Sequence, residues 1–207
     1  MNNTLIATGL NSNMPFGLTR KGGTPFFNSS MSELLGNHQC GLCSESMMVL
    51  TEQENHVRAY KKPLCVINTL RYGTDEIVQP WVFYFFPLFN TNGVVNGSFF
   101  HAHPFRFCSM LQWIDGELPH AATFYPTDSL FTHRERMIIF FIYHSLTSKE
   151  IGKRLNISHR TVENRIQDIY QKVGVNNVFH LKKYLRDNAL DSYIPPELLT
   201  LRIQRLL

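Results

Sequence analysis

Two copies of one helix-start signal, Thr-x-x-Glu, lie close together in the second half of this 207-residue chain. One copy is Thr132 with Glu135, and the other is Thr147 with Glu150. In such a capping box the hydroxyl and the carboxylate each accept a hydrogen bond from a backbone N–H that the first helical turn leaves unpaired. The two signals therefore predict helices that begin near residues 132 and 147.

The spacing of apolar residues predicts four helices over 131–185. The run 137–143 is apolar nearly all round, which is typical of a buried helix. Ser158 is a good N-cap for a third helix at about 159–173, and Gly174 is expected to end it. A fourth helix is predicted at about 178–188. A short second helix followed by a third with a polar outer face indicates a helix-turn-helix unit, whose third helix would enter the major groove of DNA.

Basic charge is concentrated in the same half of the chain. From residue 130 onward there are 13 Lys and Arg against 7 Asp and Glu, whereas residues 1–129 have 7 against 9. A positive unit attached to a slightly negative one favours neutralisation of phosphates with release of counterions. Double-stranded DNA is therefore the expected partner.

The residues of this unit resemble the LuxR-type helix-turn-helix pattern. The match runs through FTHRE at 131–135, LTSKEI at 146–151, LNIS at 155–158, TVEN at 161–164 and KVGV at 172–175. Glu163 and Arg165 depart from that family, which often has a basic residue at the first position and usually a histidine at the second. The resemblance thus implies major-groove binding by the third helix, but not the family's preferred bases.

Three polar side chains on the outer face of the third helix are expected to read base edges. The carboxylate of Glu163 suits cytosine N4, and the amides of Asn164 and Gln167 suit the N6/N7 edge of adenine. Contacts to the DNA backbone are expected from Lys149, His159, Arg160, Thr161, Arg165 and Lys172. Any single one of these residues is equally compatible with an ordinary solvated helix surface, because only about three or four side chains of such a helix reach base edges.

The first part of the chain is predicted to form an α+β domain. A hairpin is expected at about 16–28, followed by a short helix capped by Ser29 or Ser30, and Thr51 is expected to open a second helix that runs to about Tyr60. Strands are predicted at 65–71, 81–89 and 94–102. This succession resembles a PAS sensor domain, and the residues 13–17, Gly22, Asn28 and 34–36 are similar to its opening motif.

The predicted fold class is an α+β PAS-like N-terminal domain followed by an all-α four-helix LuxR-type helix-turn-helix domain. This combination is similar to TraJ-like regulators of conjugative transfer and to other small PAS regulators of bacteria. We expect a PAS-like sensor or dimerisation domain at 1–125, the helix-turn-helix domain at 126–190 and an amphipathic C-terminal helix at 191–207.

The C-terminal helix is predicted because Pro195 and Pro196 suit a first helical turn and six of the last ten residues are large and aliphatic. A helix this short must dock, either on its own chain or on a second copy. A homodimer is expected, since two reading helices on a palindromic site require two-fold symmetry. RNA polymerase is a further expected partner.

Four cysteines leave a sensor function open. Cys40 and Cys43 form a C-x-x-C pair which, with His38, Cys65 or Cys108, permits a metal or iron–sulfur site. His56 is an alternative candidate as a haem ligand. The plainer interpretation is that the cysteines are reduced and partly buried, so that no metal and no cofactor are expected.

Other function classes have little support in the sequence. There is no Gly-x-Ser-x-Gly elbow, glycine-rich phosphate loop or His-Glu-x-x-His motif, so we do not expect an enzyme. No apolar run reaches the roughly 18 to 20 residues of a membrane span, which favours a cytoplasmic protein. The expected function is a sequence-specific DNA-binding transcriptional regulator. The alternatives are a regulator that senses through a metal or haem, and an adaptor whose basic unit contacts another protein.

Overall fold

The computed structural model describes residues 7, 9, 12–20, 22–36, 45–108 and 110–206. The chain divides into two compact units. The first unit comprises Met1–Arg106 together with Leu199–Leu207, and the second comprises Phe107–Leu198.

The strands in chain order are β1 (Phe16–Arg20), β2 (Phe26–Phe27), β3 (Leu64–Tyr72), β4 (Ile77–Phe89), β5 (Val95–Pro104), β6 (Arg106–Phe107), β7 (His120–Ala121) and β8 (Arg202–Arg205). The helices are α1 (Ser29–Leu34), α2 (Glu45–Tyr60), α3 (Met110–Ile114), α4 (His133–Tyr143), α5 (Ser148–Leu155), α6 (His159–Val173) and α7 (Val178–Asp187), with a 3-10 helix at Pro196–Leu198. Among the described helices, none is long and apolar enough to cross a membrane.

The first unit is an antiparallel sheet with helices against one face. Its strand order is β2-β1-β5-β4-β3-β8. The strands alternate in the usual way: Phe83 and Phe85 point toward the core beneath α2, while Tyr84 and Phe86 between them point to the opposite face. The predicted hairpin and three-strand meander are confirmed, with β3 and β4 extending beyond the predicted limits.

Two helix starts in the first unit differ from the prediction. Helix α2 begins at Glu45, and Thr51 lies inside it with its hydroxyl donating to the carbonyl of Met47 at 2.8 Å. Burial of Val49 and Leu50 against the sheet explains the earlier start, because tertiary contacts outweigh a local cap signal. Helix α1 is capped by Asn28 rather than by Ser29 or Ser30.

Asn28 is held at the N-cap of α1 because both the oxygen and the nitrogen of its side-chain amide form hydrogen bonds. Its Oδ1 accepts from the backbone N–H of Met31 at 2.9 Å, while its Nδ2 donates to the carbonyls of Gly9, Ser12 and Met14. The side chain is only 2% exposed, so leaving any of these groups unpaired would be costly. A serine reaches fewer groups than an amide, which is why the serines next to it do not take this position.

The second unit is built on helices α4 to α7. One apolar core joins them, formed by residues from all four helices and the preceding turn: Phe131, Ile138, Ile139, Phe141, Ile142, Ile151, Val162, Ile169, Leu181 and Leu185. The unit begins before the expected residue 126, because Thr123 exchanges backbone hydrogen bonds with the 192–194 segment. The four-helix arrangement predicted from the sequence is confirmed.

The predicted C-terminal helix at 191–207 is wrong. Beyond the 3-10 turn the chain forms strand β8, which pairs with β3 from Val66 opposite Arg205 to Thr69 opposite Arg202. Without β8, β3 would be an edge strand whose backbone N–H and C=O groups lack partners. The pairing satisfies those groups, whereas a ten-residue helix is marginal in water. The alternation of Leu201 and Ile203 with polar residues is the strand signal in this segment.

Shortening the chain to end at Leu199 is expected to lower the free energy of unfolding by about 1–3 kcal/mol, because the ladder on β3 is lost. Urea unfolding followed by far-UV circular dichroism measures the change. The control is the full chain with Leu201→Ser and Ile203→Ser, two side chains that are already 44% and 45% exposed. This control retains the backbone hydrogen bonds between β3 and β8, so its free energy of unfolding should fall much less. Equal stability of the shortened and full chains would contradict the assigned role of β8.

Candidate nucleic-acid interface

The turn between α5 and α6 brings the two helices into close contact. Asn156 ends α5 in the left-handed conformation, with φ 55° and ψ 46°, and the backbone N–H of Ile157 donates to the carbonyl of Gly152 at 3.0 Å. A Cβ on Gly152 would lie 2.7 Å from the carbonyl oxygen of Ile157, which is closer than packing allows. Gly152 is therefore required for the angle between the two helices.

Helix α6 starts and stops as the sequence predicts. The Ser158 hydroxyl accepts from the backbone N–H of Thr161 at 3.0 Å, and Gly174 ends the helix in the left-handed conformation at φ 70°. Val162 and Ile169 are fully buried against the other helices. The opposite side of α6 is consequently directed to solvent, with the positive end of the helix dipole at its first turn.

The three predicted base-reading residues share this solvent side. Glu163, Asn164 and Gln167 are all exposed. At about 100° per residue they fall within an arc of about 100° on the helix, away from the buried side. The arrangement therefore presents one carboxylate and two amides together, a set of acceptors and donors suited to base edges.

The predicted backbone contacts separate into two groups. Lys149 at the start of α5 and His159 and Arg160 in the first turn of α6 are exposed. The other three make contacts within the protein, as follows. The Thr161 hydroxyl is 2.8 Å from that of Ser158, the Arg165 guanidinium is 3.8 Å from Asp168, and the Lys172 ammonium donates to Glu135 at 2.8 Å. Of these six residues, Lys149, His159 and Arg160 are the ones whose polar groups form no hydrogen bond or ion pair with another described residue.

Both predicted capping boxes are present. Glu135 Oε2 accepts from the backbone N–H of Thr132 at 2.8 Å, and Glu150 Oε2 accepts from that of Thr147 at the same distance. The two boxes differ in surroundings, because Glu135 is 3% exposed whereas Glu150 lies at the surface. The first box is thus part of the core of the unit.

The buried Glu135 links the start of α4 to the end of α6. The same oxygen that caps α4 accepts from the Lys172 ammonium at 2.8 Å. Burial alone would raise the pKa of Glu135, but the hydrogen bonds from Lys172 and Thr132 outweigh it and hold that pKa below its usual range. Lys172 is therefore an internal partner, a role that its sequence position on the polar side of α6 does not indicate.

A second ion pair, which the sequence analysis missed, joins the segment before α4 to the helix itself. Arg136 donates to the backbone carbonyl of Asp128 at 2.6 Å and lies 3.3 Å from its carboxylate. Asp128 also accepts from the backbone N–H groups of Leu130 and Phe131. Ion pairs that a sequence reveals on one helix are three or four residues apart. Asp128 and Arg136 are eight residues apart, so only the fold brings them together. Gly152 was also missed, although a glycine inside an eight-residue helix is a recognisable signal of close packing.

The candidate sensor residues give no assembled site in the described part of the chain. Cys40, Cys43 and His38 lie outside the described residues. Cys65 is buried in the first unit and Cys108 is half-buried in the second. The His56 ring packs on Tyr60, with its Nε2 3.4 Å from the Arg205 guanidinium. Among the described residues, no three His, Cys, Asp or Glu side chains are placed to hold a metal.

A buried polar cluster lies between α2 and the sheet of the first unit. The amides of Gln53 and Asn68 are reciprocally hydrogen-bonded at 2.7 and 3.0 Å. Beside them, Glu54 accepts from the hydroxyls of Thr19 at 2.6 Å and Ser98 at 3.0 Å. Burial raises the pKa of Glu54 above its usual range, although both hydroxyls oppose that shift. The interior of this unit thus contains a hydrogen-bonded polar cluster as well as its apolar core.

Residues 129–184 match the luxR family of bacterial regulatory proteins. The whole chain is similar in fold to the phage VqmA–DPO complex, with 21% identity, a TM-score of 0.58 and coverage of 100% of this chain and 96% of that chain. It is also similar to the Vibrio cholerae VqmA–ligand–DNA complex, with 17% identity, a TM-score of 0.66 and coverage of 100% and 97%. No curated protein matches the chain in sequence. The LuxR-type unit and the fold class predicted from the sequence are confirmed.

The Glu135–Lys172 pair generates a pH-dependent prediction. Lys172→Met should lower the free energy of unfolding by about 1–3 kcal/mol at pH 7, because it leaves a buried carboxylate without its ammonium partner. The pKa of Glu135 is lowered in the folded state, so the pair contributes fully above the usual pKa of a glutamate, and the contribution is lost as pH falls below about 4.

Urea unfolding at a series of pH values from 7 downward measures this difference. Lys183→Met is the matched control, because Lys183 is exposed on α7. The prediction fails if the two variants are equally stable at pH 7, or if the difference between them persists at low pH.

Proposed function

We propose that this chain, a LuxR-type DNA-binding transcription regulator with a PAS-like first domain, reads its target in the major groove through Glu163, Asn164 and Gln167. The observation that carries the proposal is the exposure of these three side chains together on α6, the second helix of the helix-turn-helix. Such a helix places its N-terminal part against base edges. The regulator acts in the cytoplasm, where its DNA lies, and we propose no enzymatic step.

The chemistry of the three side chains suggests which bases they contact. The Asn164 and Gln167 amides have a donor and an acceptor side by side, which matches N6 and N7 of adenine. Glu163 has only acceptors and suits the N4 amino group of cytosine. A carboxylate among phosphates is repelled unless it meets a donor, so Glu163 also selects against sequences that lack a cytosine there.

Contacts to the DNA backbone are proposed for Lys149, His159 and Arg160. These side chains are exposed beside the reading face and lie at the N-terminal ends of α5 and α6, where helix dipoles favour a phosphate. Lys172 is left out because its ammonium is held by Glu135. Thr161 and Arg165 are left out because they lie on the flank of α6 that faces α4.

Asn164→Ala and Gln167→Ala are each expected to reduce discrimination at one base position by about 1–3 kcal/mol. Arg160→Ala should weaken binding to all sequences alike and reduce the salt slope by about one. Gln171→Ala, an exposed glutamine one turn further along α6, is the matched control. The measurement is fluorescence anisotropy in rising salt, with an operator found by footprinting, its single-base variants and a random duplex. Equal losses on operator and random DNA for all three variants would refute the assigned roles.

We propose that the first domain forms a homodimer through the outer face of its sheet, defined here as Ile67, Tyr84, Phe86, Phe99 and His101. These side chains point away from α2 and are half-buried. The rings stack across strands, with centroids 4.8 Å apart for Phe86 and Phe99 and 5.2 Å for Tyr84 and His101. A flat aromatic face suits a self-complementary contact, and two-fold symmetry is what a pair of reading helices needs.

Ile67→Lys is expected to convert a dimer at micromolar concentration into a monomer, because two-fold symmetry buries the new charge twice. Met48→Lys is the matched control, since Met48 is 61% exposed on α2, on the other side of the sheet. Sedimentation velocity distinguishes the two states, and circular dichroism verifies folding. A monomeric natural chain, or a dimer that survives Ile67→Lys, would remove this face from the interface.

The first domain is also proposed as the part that receives a signal. Its buried side chains Gln53, Asn68 and Glu54 are hydrogen-bonding groups beside the apolar core, and a small polar molecule is recognised by groups of this kind in otherwise apolar surroundings. The two VqmA structures with this fold are complexes with DPO and with a ligand. RNA polymerase is the proposed receiver of the output.

A further inference from the structure

The flank of α6 that faces α4 borders an open groove of about 430 Å³. Thr161 and Arg165 of α6 form one wall, and the first two turns of α4 form the other. The end of α5 and the following turn close the groove at one end. Its volume falls within the range of about 300–1,000 Å³ that is typical of binding sites.

The floor of the groove is apolar. Ile138 is buried, at 1% exposure, and Met137, Leu155 and Ile157 are half-buried, so part of each of these three side chains remains open to solvent. All four residues are aliphatic or thioether side chains with no hydrogen-bonding group to offer. An occupant of the floor must therefore bring apolar atoms of its own.

The rim of the groove is basic. His133, Arg134, Arg154 and Arg165 are exposed around the floor, and no acidic side chain lines it among the described residues. Three carboxylates approach from outside. Glu150 lies at the surface four residues before Arg154 and interacts with its charge. Glu197 lies 3.8 Å from His133 and Asp168 lies 3.8 Å from Arg165, which forms two ion pairs. Both pairs are more than half exposed, and such pairs are worth little, so an incoming carboxylate can replace them.

The groove does not coincide with the reading face. On a helix with about 100° per residue, the direction midway between Thr161 and Arg165 lies about 130° from the mean direction of Glu163, Asn164 and Gln167. A molecule in the groove is thus beside the DNA and not between the protein and the bases. Both surfaces of α6 can be occupied at once.

We propose that this groove docks an acidic amphipathic segment of a partner protein. Aliphatic side chains of that segment cover the floor formed by Ile138, Met137, Leu155 and Ile157, and its carboxylates pair with the arginines of the rim. A DNA phosphate satisfies the rim but leaves the apolar floor uncovered, and a neutral peptide does the reverse. A peptide segment that combines aliphatic side chains with carboxylates matches both the apolar floor and the basic rim.

The test uses the full-length protein and a fluorescein-labelled helical peptide of about 18 residues, with Leu at i, i+3, i+4 and i+7 and Glu on the flanks. Two companion peptides replace every Leu by Ser or every Glu by Lys. Fluorescence anisotropy without DNA gives the dissociation constants. We expect saturable binding of the first peptide and at least about tenfold weaker binding of each companion.

Charge reversal then locates the site. The double variant R134E/R154E should weaken binding of the Leu/Glu peptide at least about tenfold, whereas its affinity for a random duplex should fall no further than that of a control variant with the same change in net charge. The control K183E/R186E makes the same change in net charge at two exposed residues of α7, which does not line the groove, and its affinity for the peptide should stay within about twofold of that of the natural protein. Thermal unfolding by circular dichroism verifies that each variant is folded.

Several results would overturn the proposal. They are absence of saturable binding below about 1 mM, equal binding of the Leu and Ser peptides, and equal weakening by the control variant. A loss of duplex affinity in R134E/R154E as large as the loss of peptide affinity would instead assign the rim to phosphate. Because the peptide is measured without DNA, a failure of the base-reading assignments leaves this outcome unaffected.

Discussion

One buried carboxylate, that of Glu135, fixes the end of α6 against the start of α4. Removing a carboxylate from water is costly unless donors surround it, and here three donors meet a single oxygen: the backbone N–H and the hydroxyl of Thr132 and the ammonium of Lys172. Thr132 starts α4 and Lys172 lies in the last turn of α6. A cap that is ordinarily local therefore also determines where α6 ends relative to the rest of the unit.

Because both ends of α6 are fixed, each side of the helix faces a defined environment. The Gly152 contact determines where the helix starts and the Glu135 pair where it ends, while Val162 and Ile169 fill the core. The polar arc is left exposed for the base contacts that we propose, and the flank with Thr161 and Arg165 borders the groove beside α4. Contacts at both ends of the helix orient its exposed surfaces, and recognition of a base edge requires such positioning.

In the sheet domain too, backbone N–H and C=O groups require hydrogen-bond partners, here along a whole strand and not only at a helix start. Strand β3 ends the meander, and its free edge is covered by β8 from the far end of the chain. The tail contributes backbone hydrogen bonds more than apolar burial, since the side chains of β8 are all exposed. Counting the large aliphatic residues of the tail therefore led to the prediction of a helix. The alternation of Leu201 and Ile203 with polar residues suits a strand, but the edge with which that strand pairs belongs to β3, far away in the chain.

The sequence by itself determined the features that arise from neighbouring residues. The Thr-x-x-Glu boxes, the Ser158 cap and the Gly174 stop define α4 to α6 within a residue, and the polar arc of α6 follows from helical periodicity. The tertiary structure alone decided the partners of Lys172, the strand at the C-terminus and the groove on the flank of α6. Those features join residues far apart in the chain, and their energies depend on burial and on unpaired backbone groups that exist only after the chain has folded.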